Sequence, residues 1–141
     1  MEKIKIKYLR DIPKLKKISQ GDWIDLYCGE FTVLDPYETR IIPLGVAIQL
    51  PEGYEAIVVP RSSTFRIYSI LMTNSIGVID NCYCGNEDEW GFPCLAMNHT
   101  CIPKGARIAQ FRIIKNQPEI EFETVDHLTG DNRGGFGSTG K

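Results

Sequence analysis

Three consecutive stretches decide the fold class: Ile41-Ile-Pro-Leu-Gly-Val-Ala-Ile-Gln-Leu50, Pro51-Glu-Gly53 and Tyr54-Glu-Ala-Ile-Val-Val59. The outer two are short apolar runs rich in β-branched residues, which fit a pleated, half-buried surface. The middle one supplies a proline with fixed φ and a glycine free to take positive φ, the chemistry of a tight turn. The spacing predicts two neighbouring strands joined at Pro51–Gly53. Upstream, Ile4–Leu9 and Asp22–Cys28 read as strands. Downstream, Ile70–Thr73, Gly77–Ile79, Phe92–Ala96, Arg107–Ile114 and Ile120–Val125 do the same. No window of helical length carries a sustained 3.6-residue apolar period. Only Ser62–Tyr68, opening on two hydroxyl residues able to cap it, suits a helical turn or two. Strands at this spacing, punctuated by Pro and Gly, indicate an all-β sandwich or barrel with at most one short helix. One β domain is expected over residues 1–127, and residues 128–141 lose the strand pattern and form a glycine-rich C-terminal arm.

The 141 residues suffice for a single core, and 43% hydrophobic with 24% charged residues is ordinary for a globular domain. A net charge of −2 gives no reason to expect nucleic acid or membrane as a partner. Met1-Glu-Lys-Ile-Lys-Ile-Lys-Tyr8 alternates charged and apolar residues and lacks the unbroken apolar core of a signal peptide, so a cytoplasmic location is expected. The five cysteines are Cys28, Cys82, Cys84, Cys94 and Cys101. Their odd number and irregular spacing argue for free thiols. Cys82-x-Cys84 would face one side of a strand, but no second close pair completes a zinc-binding pattern with His99.

The arm, Gly130-Asp-Asn-Arg-Gly-Gly-Phe-Gly-Ser-Thr-Gly140, holds five glycines, one aromatic ring, two hydroxyls and a cation. It cannot hold a fold together by burial, and glycine maximises the entropy lost on ordering. Such a segment suits closure over a ligand: backbone N–H groups without a Cβ in the way cradle phosphate oxygens, and Phe136 suits a flat ring. A floppy polar terminus is the plainer reading. Gly135–Lys141 matches the start of the G-x-x-x-x-G-K phosphate loop, but no Ser or Thr and no helix follow, which rejects that motif.

Three polar clusters interrupt the apolar pattern. Pro60-Arg61-Ser62-Ser63-Thr64 combines a cation with hydroxyls and suits a phosphate, or else is a capped turn with a solvated arginine. Asn74-Ser-Ile-Gly-Val-Ile-Asp80-Asn-Cys-Tyr83 ends an apolar strand in an aspartate, a general base in a stiff hairpin or an ordinary turn residue. In Gly105-Ala-Arg107-Ile-Ala-Gln110-Phe111, Arg107 and Gln110 stand three apart, so on a regular strand they face opposite sides and at most one points into a shared pocket.

Asp25-Leu26, Pro60–Ser63, Gly77-Val-Ile-Asp80 with Tyr83, Arg107-Ile-Ala-Gln-Phe111 and Gly134–Gly140 follow one another in the order of five motifs. From about residue 21 to the end, the chain closely resembles the trimeric dUTPase family, including the connecting Ile42–Ala47 and Pro51–Tyr54. The resemblance implies a distorted jelly-roll or β-clip subunit with a flexible arm, assembled as a homotrimer. It implies hydrolysis of dUTP to dUMP and pyrophosphate, which limits uracil incorporation into DNA and supplies dUMP for thymidylate synthesis. Asp80 would activate water for in-line attack on the α-phosphorus. Mg²⁺, held mainly by the phosphates, would neutralise charge, with Asp25 near its water shell and not a direct ligand.

By the same resemblance Arg61, Ser62 and Ser63 would contact phosphates and Gln110 the α-phosphate region, while Arg107 would brace the structure. Tyr83 would pack under the deoxyribose and exclude a 2′-hydroxyl. Asn74, Gly77, Val78 and Ile79 would read the uracil edge. Phe136 would stack on uracil, with Gly137 and Ser138 at the phosphates, as the arm of one chain closes a site formed by its neighbours. The arm is expected to be mobile without ligand and ordered with it.

Three departures stand out. The first motif usually reads Ala-Gly-x-Asp-Leu, where this chain has Asp22-Trp-Ile-Asp-Leu26. The fifth usually opens Arg-Gly-x-Gly-Gly-Phe, where Asp131 and Asn132 stand and Arg133 comes two places later, a shifted phosphate cation. The hairpin after Tyr83 carries extra residues, Asn86–Trp90, expected to form an acidic and aromatic rim and a possible surface for a protein partner. The alternatives are a dCTP deaminase-like enzyme of the same superfamily and a dUTP-binding regulator with slow or no turnover. A plain structural or sugar-binding jelly roll leaves Arg61, Asp80 and the arm unexplained.

Overall fold

The computed structural model describes residues 1–137, 139 and 140. Among them run eleven strands: β1 (Lys5–Tyr8), β2 (Ile24–Tyr27), β3 (Thr32–Leu34), β4 (Thr39–Pro43), β5 (Val46–Gln49), β6 (Tyr54–Pro60), β7 (Ile70–Met72), β8 (Gly77–Ile79), β9 (Gly91–Ala96), β10 (Thr100–Ile102) and β11 (Arg107–Lys115). The one helix, α1 (Thr64–Tyr68), lies between β6 and β7. A four-stranded sheet, β2-β11-β6-β8, and a three-stranded sheet, β4-β9-β7, are flanked by the ribbons β1-β5 and β3-β10. Every pairing is antiparallel. This is the all-β jelly-roll class with one short helix.

One contiguous core draws on every sheet. Inward positions alternate along β9, where Phe92, Cys94 and Ala96 are buried, and along β6, where Ala56 and Val58 are. Trp90 is fully buried and meets Phe111 edge-on, with ring centroids 5.1 Å apart at 84°. That geometry places the positive ring edge on the negative face and adds about 0.5–1.5 kcal/mol beyond burial.

Three sequence expectations are corrected. Ile41–Leu50 is not one strand. Gly45, at φ +77°, breaks it into β4 and β5, and a Cβ there would meet the Ile12 side chain at 2.9 Å. The Pro51–Gly53 turn does form, with the Tyr54 N–H donating to the Pro51 carbonyl at 3.2 Å. It does not join neighbours, however: β5 pairs with β1, whereas β6 pairs with β11 and β8. A jelly roll passes its chain between sheets at such corners, and local turn chemistry does not distinguish a corner from a hairpin. Ile120–Val125 is not a strand either, and Phe122 is 92% exposed. Its strand-like alternation finds no ladder within its own chain. The short β3 and β10 were missed because each opens on a buried threonine and lacks the short apolar run that marks the equally short β7 and β8.

Cys82 and Cys84 lie in an exposed turn and not on a strand. No cluster of three or more His, Cys, Asp and Glu side chains forms among the described residues. Cys28 and Cys94 are buried, and desolvation raises the pKa of both thiols, that of Cys94 to about 11. The thiolate is the reactive form. At pH 8 the native chain is expected to label with a disulfide reagent at Cys82, Cys84 and Cys101, and at Cys28 and Cys94 only after unfolding. Native labelling of all five at one rate, read by peptide mass spectrometry, would contradict this.

Candidate active site

Two polar clusters stand at opposite ends of the four-stranded sheet. The first is centred on Asp25 in β2. Its Oδ1 forms an ion pair with Arg61 Nε at 3.0 Å and its Oδ2 faces Arg107 Nη1 at 3.5 Å. Gln110 stands directly opposite Asp25 in the β2–β11 ladder, and its amide donates to the Pro60 carbonyl at 3.2 Å. Arg107 and Gln110 were expected on opposite sides of a regular strand. The strand is not regular: the register shifts between Arg107 and Ala109, so Ile108 and Ala109 are buried in succession. A β-bulge re-aims side chains in this way, and both residues serve the Asp25 end.

Thr64, read from the sequence only as one hydroxyl of the Pro60–Thr64 cluster, shapes the turn beyond β6. Its buried hydroxyl accepts the Arg61 N–H at 2.9 Å and donates to the Ile108 carbonyl at 2.8 Å. Ser63 occupies the N-cap position of α1 but makes no side-chain cap bond, so its hydroxyl is not committed to the backbone. A helix of five residues adds little dipole, and the cluster's positive character comes from its guanidinium groups. Beside it opens a cleft of about 600 Å³ whose lining includes Trp23, Asp25, Tyr27, Tyr68 and Arg107. The bulky first-motif residues are held on the neighbouring surface. Asp22 accepts Arg112 Nη2 at 2.7 Å, and the Arg112 guanidinium lies 5.5 Å from the Trp23 ring centroid.

The second cluster lies beyond β8. Asp80 is exposed, and no cation pairs with it among the described residues. It lines a cleft of about 430 Å³ with Ile41, Val78, Cys82, Tyr83 and Glu89. Gly77 opens β8 under Val58, where a Cβ would come within 3.1 Å of the valine Cβ. Asn74 and Ser75 form the preceding turn, Ser75 at φ +60°. Asn81 Nδ2 donates to the Leu50 and Pro51 carbonyls at 3.0 and 2.9 Å, which pins the start of the Asp80 loop to the corner between sheets. Tyr83 is 40% exposed, and its hydroxyl donates to the Glu89 carbonyl at 2.9 Å.

The expected acidic and aromatic rim at Asn86–Trp90 is only half present. Trp90 is in the core, and the half-buried Glu89 carboxylate accepts Arg10 Nε at 2.8 Å and the Gly45 N–H at 2.9 Å. Only Asn86 and Glu87 are fully exposed.

The clusters do not meet within one chain. Ile79 pairs with Ala56, so Asp80 sits beside Glu55, while Arg61 follows the far end of β6. Six residues of strand separate those ends, roughly 20 Å at ~3.3 Å per residue. The arm does not bridge them. Arg133, Phe136 and Gly137 are exposed, Phe136 fully so. Ser138 and Lys141 lie outside the described residues.

The dUTPase family model matches residues 12–140. The SPbeta prophage-derived deoxyuridine 5'-triphosphate nucleotidohydrolase of Bacillus subtilis (strain 168) is 51% identical over 138 residues, covering 97% of each chain. The deoxyuridine 5'-triphosphate nucleotidohydrolase of Hydrogenobaculum sp. is 37% identical over 98% of each. Among solved structures, a Staphylococcus bacteriophage 80alpha dUTPase variant with dUpNHpp superimposes with a TM-score of 0.80 at 22% identity, covering 99% of each chain. The dUTPase of Streptococcus mutans does so with a TM-score of 0.73 at 21% identity, covering 82% of this chain and 98% of its own. Ordered motifs, jelly-roll topology and near full-length identity converge, and the chain belongs to the dUTPase family of enzymes.

Proposed function

We propose that this chain hydrolyses dUTP to dUMP and pyrophosphate at sites built between copies of a homotrimer. One observation carries the reading: an unpaired, exposed carboxylate, Asp80, faces a nucleotide-sized cleft roughly 20 Å along the sheet from the arginine cluster that suits a triphosphate. A second chain must then present its Arg61 cluster to the first chain's Asp80. The segment that leads into the arm supports the same assembly. Ile120, Phe122, Val125 and Leu128 are exposed in the single chain, and apolar side chains in such a row are stabilised by burial against a neighbour.

In the reaction, Asp80 takes a proton from water as the water oxygen bonds to the α-phosphorus, and the bond from that phosphorus to the bridging oxygen breaks to release pyrophosphate. The carboxylate is a weak base, so position and charge neutralisation supply most of the rate. Arg61 and the uncommitted Ser63 hydroxyl hold phosphate oxygens, with Ser62 beside them. Gln110, tethered to Pro60, holds the α-phosphate side, and Arg107 braces Asp25. Tyr83 packs under the sugar, Asn74 and the Gly77–Ile79 backbone read the base, and residues 128–141 close the site with Phe136 on uracil and Arg133 at the phosphates.

Mg²⁺ fits this donor set. An ion carried mainly by the triphosphate needs no protein cage of carboxylates. Asp25, with both oxygens engaged by arginines, would reach it through water. When bound, the ion would supply Lewis-acid neutralisation of the phosphate charge. A structure of the phage phi11 dUTPase of S. aureus is described as containing a structural Mg(II) ion. Among the described residues no helix is long and apolar enough to cross a membrane, and cytoplasmic action on free nucleotide fits the reading, with dUMP supply and protection of DNA from uracil as its consequences.

Pyrophosphate release from dUTP, dTTP, UTP and dCTP with Mg²⁺ tests the proposal. Release from dUTP at least 10²-fold faster than from the others is expected, because a rigid backbone excludes misfits strongly. Deamination of dCTP would establish the superfamily alternative. Tight dUTP binding without release would establish a regulator.

A further inference from the structure

We infer that an ion pair outside the five motifs, Arg10 with Glu89, is a positioning latch that sets the Tyr83 ring and thereby tunes discrimination between deoxyribose and ribose. The inference rests on the proposed role of Tyr83 at the sugar. The loop from Asp80 to Gly91 lacks a strand partner along most of its length, so its shape depends on a few fixed points. At its start Asn81 is tied to Leu50 and Pro51. At its end the Trp90 N–H donates to the Val46 carbonyl at 2.9 Å, and the Leu44 N–H donates to the Trp90 carbonyl at 2.8 Å.

Glu89 is the convergence point. Its Oε2 accepts Arg10 Nε at 2.8 Å and the Gly45 N–H at 2.9 Å, while its Oε1 accepts Arg10 Nη2 at 3.2 Å. A two-pronged guanidinium–carboxylate contact fixes orientation as well as distance. Arg10 is itself held from the other side, with Nη1 donating to Glu30 at 3.2 Å. The Glu89 carbonyl accepts the Tyr83 hydroxyl at 2.9 Å. A rotation of the Glu89 backbone therefore moves the acceptor that aims the ring. Gly45 admits the latch: a Cβ there would crowd Arg10 Cβ at 3.4 Å. Glu89 and Tyr83 line the same cleft as Asp80, and the bond from the Tyr83 hydroxyl to the Glu89 carbonyl is the route by which a displacement of the latch reaches the sugar.

The selectivity consequence follows from geometry. A 2′-hydroxyl is excluded only while the ring is held close, and small misplacements at a reacting centre carry large rate effects. A loosened ring admits ribose while binding deoxyribose less tightly.

The test compares wild type, Glu89→Gln, Arg10→Met and Tyr83→Phe by kcat and KM on dUTP and UTP, with melting temperatures alongside. Glu89→Gln retains an acceptor for the Gly45 N–H but loses the charge pair. It is expected to raise KM for dUTP and to lower the dUTP/UTP ratio of kcat/KM by roughly tenfold, with kcat on dUTP little changed. Arg10→Lys should restore part of the ratio lost in Arg10→Met. In the Tyr83→Phe background, which lacks the hydroxyl, Glu89→Gln should have no further effect on the ratio. A lowered melting temperature with an unchanged ratio would reduce the pair to a structural brace and overturn the latch, and additive effects in the double variant would do the same. A wild type that hydrolyses dUTP and UTP alike, or neither, would overturn the sugar-site reading itself.

Discussion

Asp80→Asn is expected to lower kcat on dUTP by about 10³-fold, within the ~10²–10⁴ that a positioned general base contributes. The substitution is isosteric and removes only the capacity to accept the proton of the attacking water. Asp80 is exposed, and the bond from the Tyr83 N–H to the Asp80 carbonyl at 3.0 Å belongs to the backbone and survives. Stability should therefore change by less than about 0.5 kcal/mol. Binding of a nonhydrolysable dUTP analogue should be retained, because a negative charge is removed from beside a polyanion. Full loss of turnover with retained binding separates the base from a residue that shapes the cleft. A kcat within tenfold of wild type would remove Asp80 from the chemistry, and a parallel loss of binding would make it a structural residue of the hairpin.

The all-β class and most strands were legible because alternation in β6, β9 and β11 reflects real burial of one face. What the pattern did not carry was which strand pairs with which. Pro51–Gly53 has hairpin chemistry, but β5 and β6 part company there, because pairing is decided by the sheets that each strand's inward residues complete. Motif order singled out Asp25, Arg61 and Asp80 as candidates, but spacing misled over Arg107 and Gln110: a bulge inserts one residue and reverses the facing of everything before it. Glu89 and Trp90 looked like solvent rim from composition alone. Their true places depend on Arg10 and Phe111, which are 79 and 21 residues away in the chain, and no local signal encodes such partners. The bracing role of Thr64 was missed for the same reason, since the Ile108 carbonyl it satisfies belongs to another strand.

Mixing two inactive variants should restore activity, and this follows from the separation of the clusters along β6. Asp80→Asn removes the base and leaves the arginine cluster whole. Arg61→Gln removes a phosphate cation and leaves Asp80 whole. If the ~20 Å between them is spanned only by a second copy, a site needs Asp80 from one chain and Arg61 from its neighbour. In randomly reassembled trimers of equal parts, the Asp80 donor must be an Arg61→Gln chain and the Arg61 donor an Asp80→Asn chain. Each condition is met half the time, so about a quarter of the sites are intact in a closed cyclic assembly. Co-refolding the two should therefore recover about a quarter of wild-type pyrophosphate release, whereas simple mixing of stable preformed trimers should recover far less. A chain carrying both substitutions, refolded with either single variant, should recover essentially none beyond that single variant alone. A site contained within one chain predicts no recovery in any mixture. The experiment thus asks directly whether the extended sheet, with its base at one end and its cations at the other, is half of two different active sites.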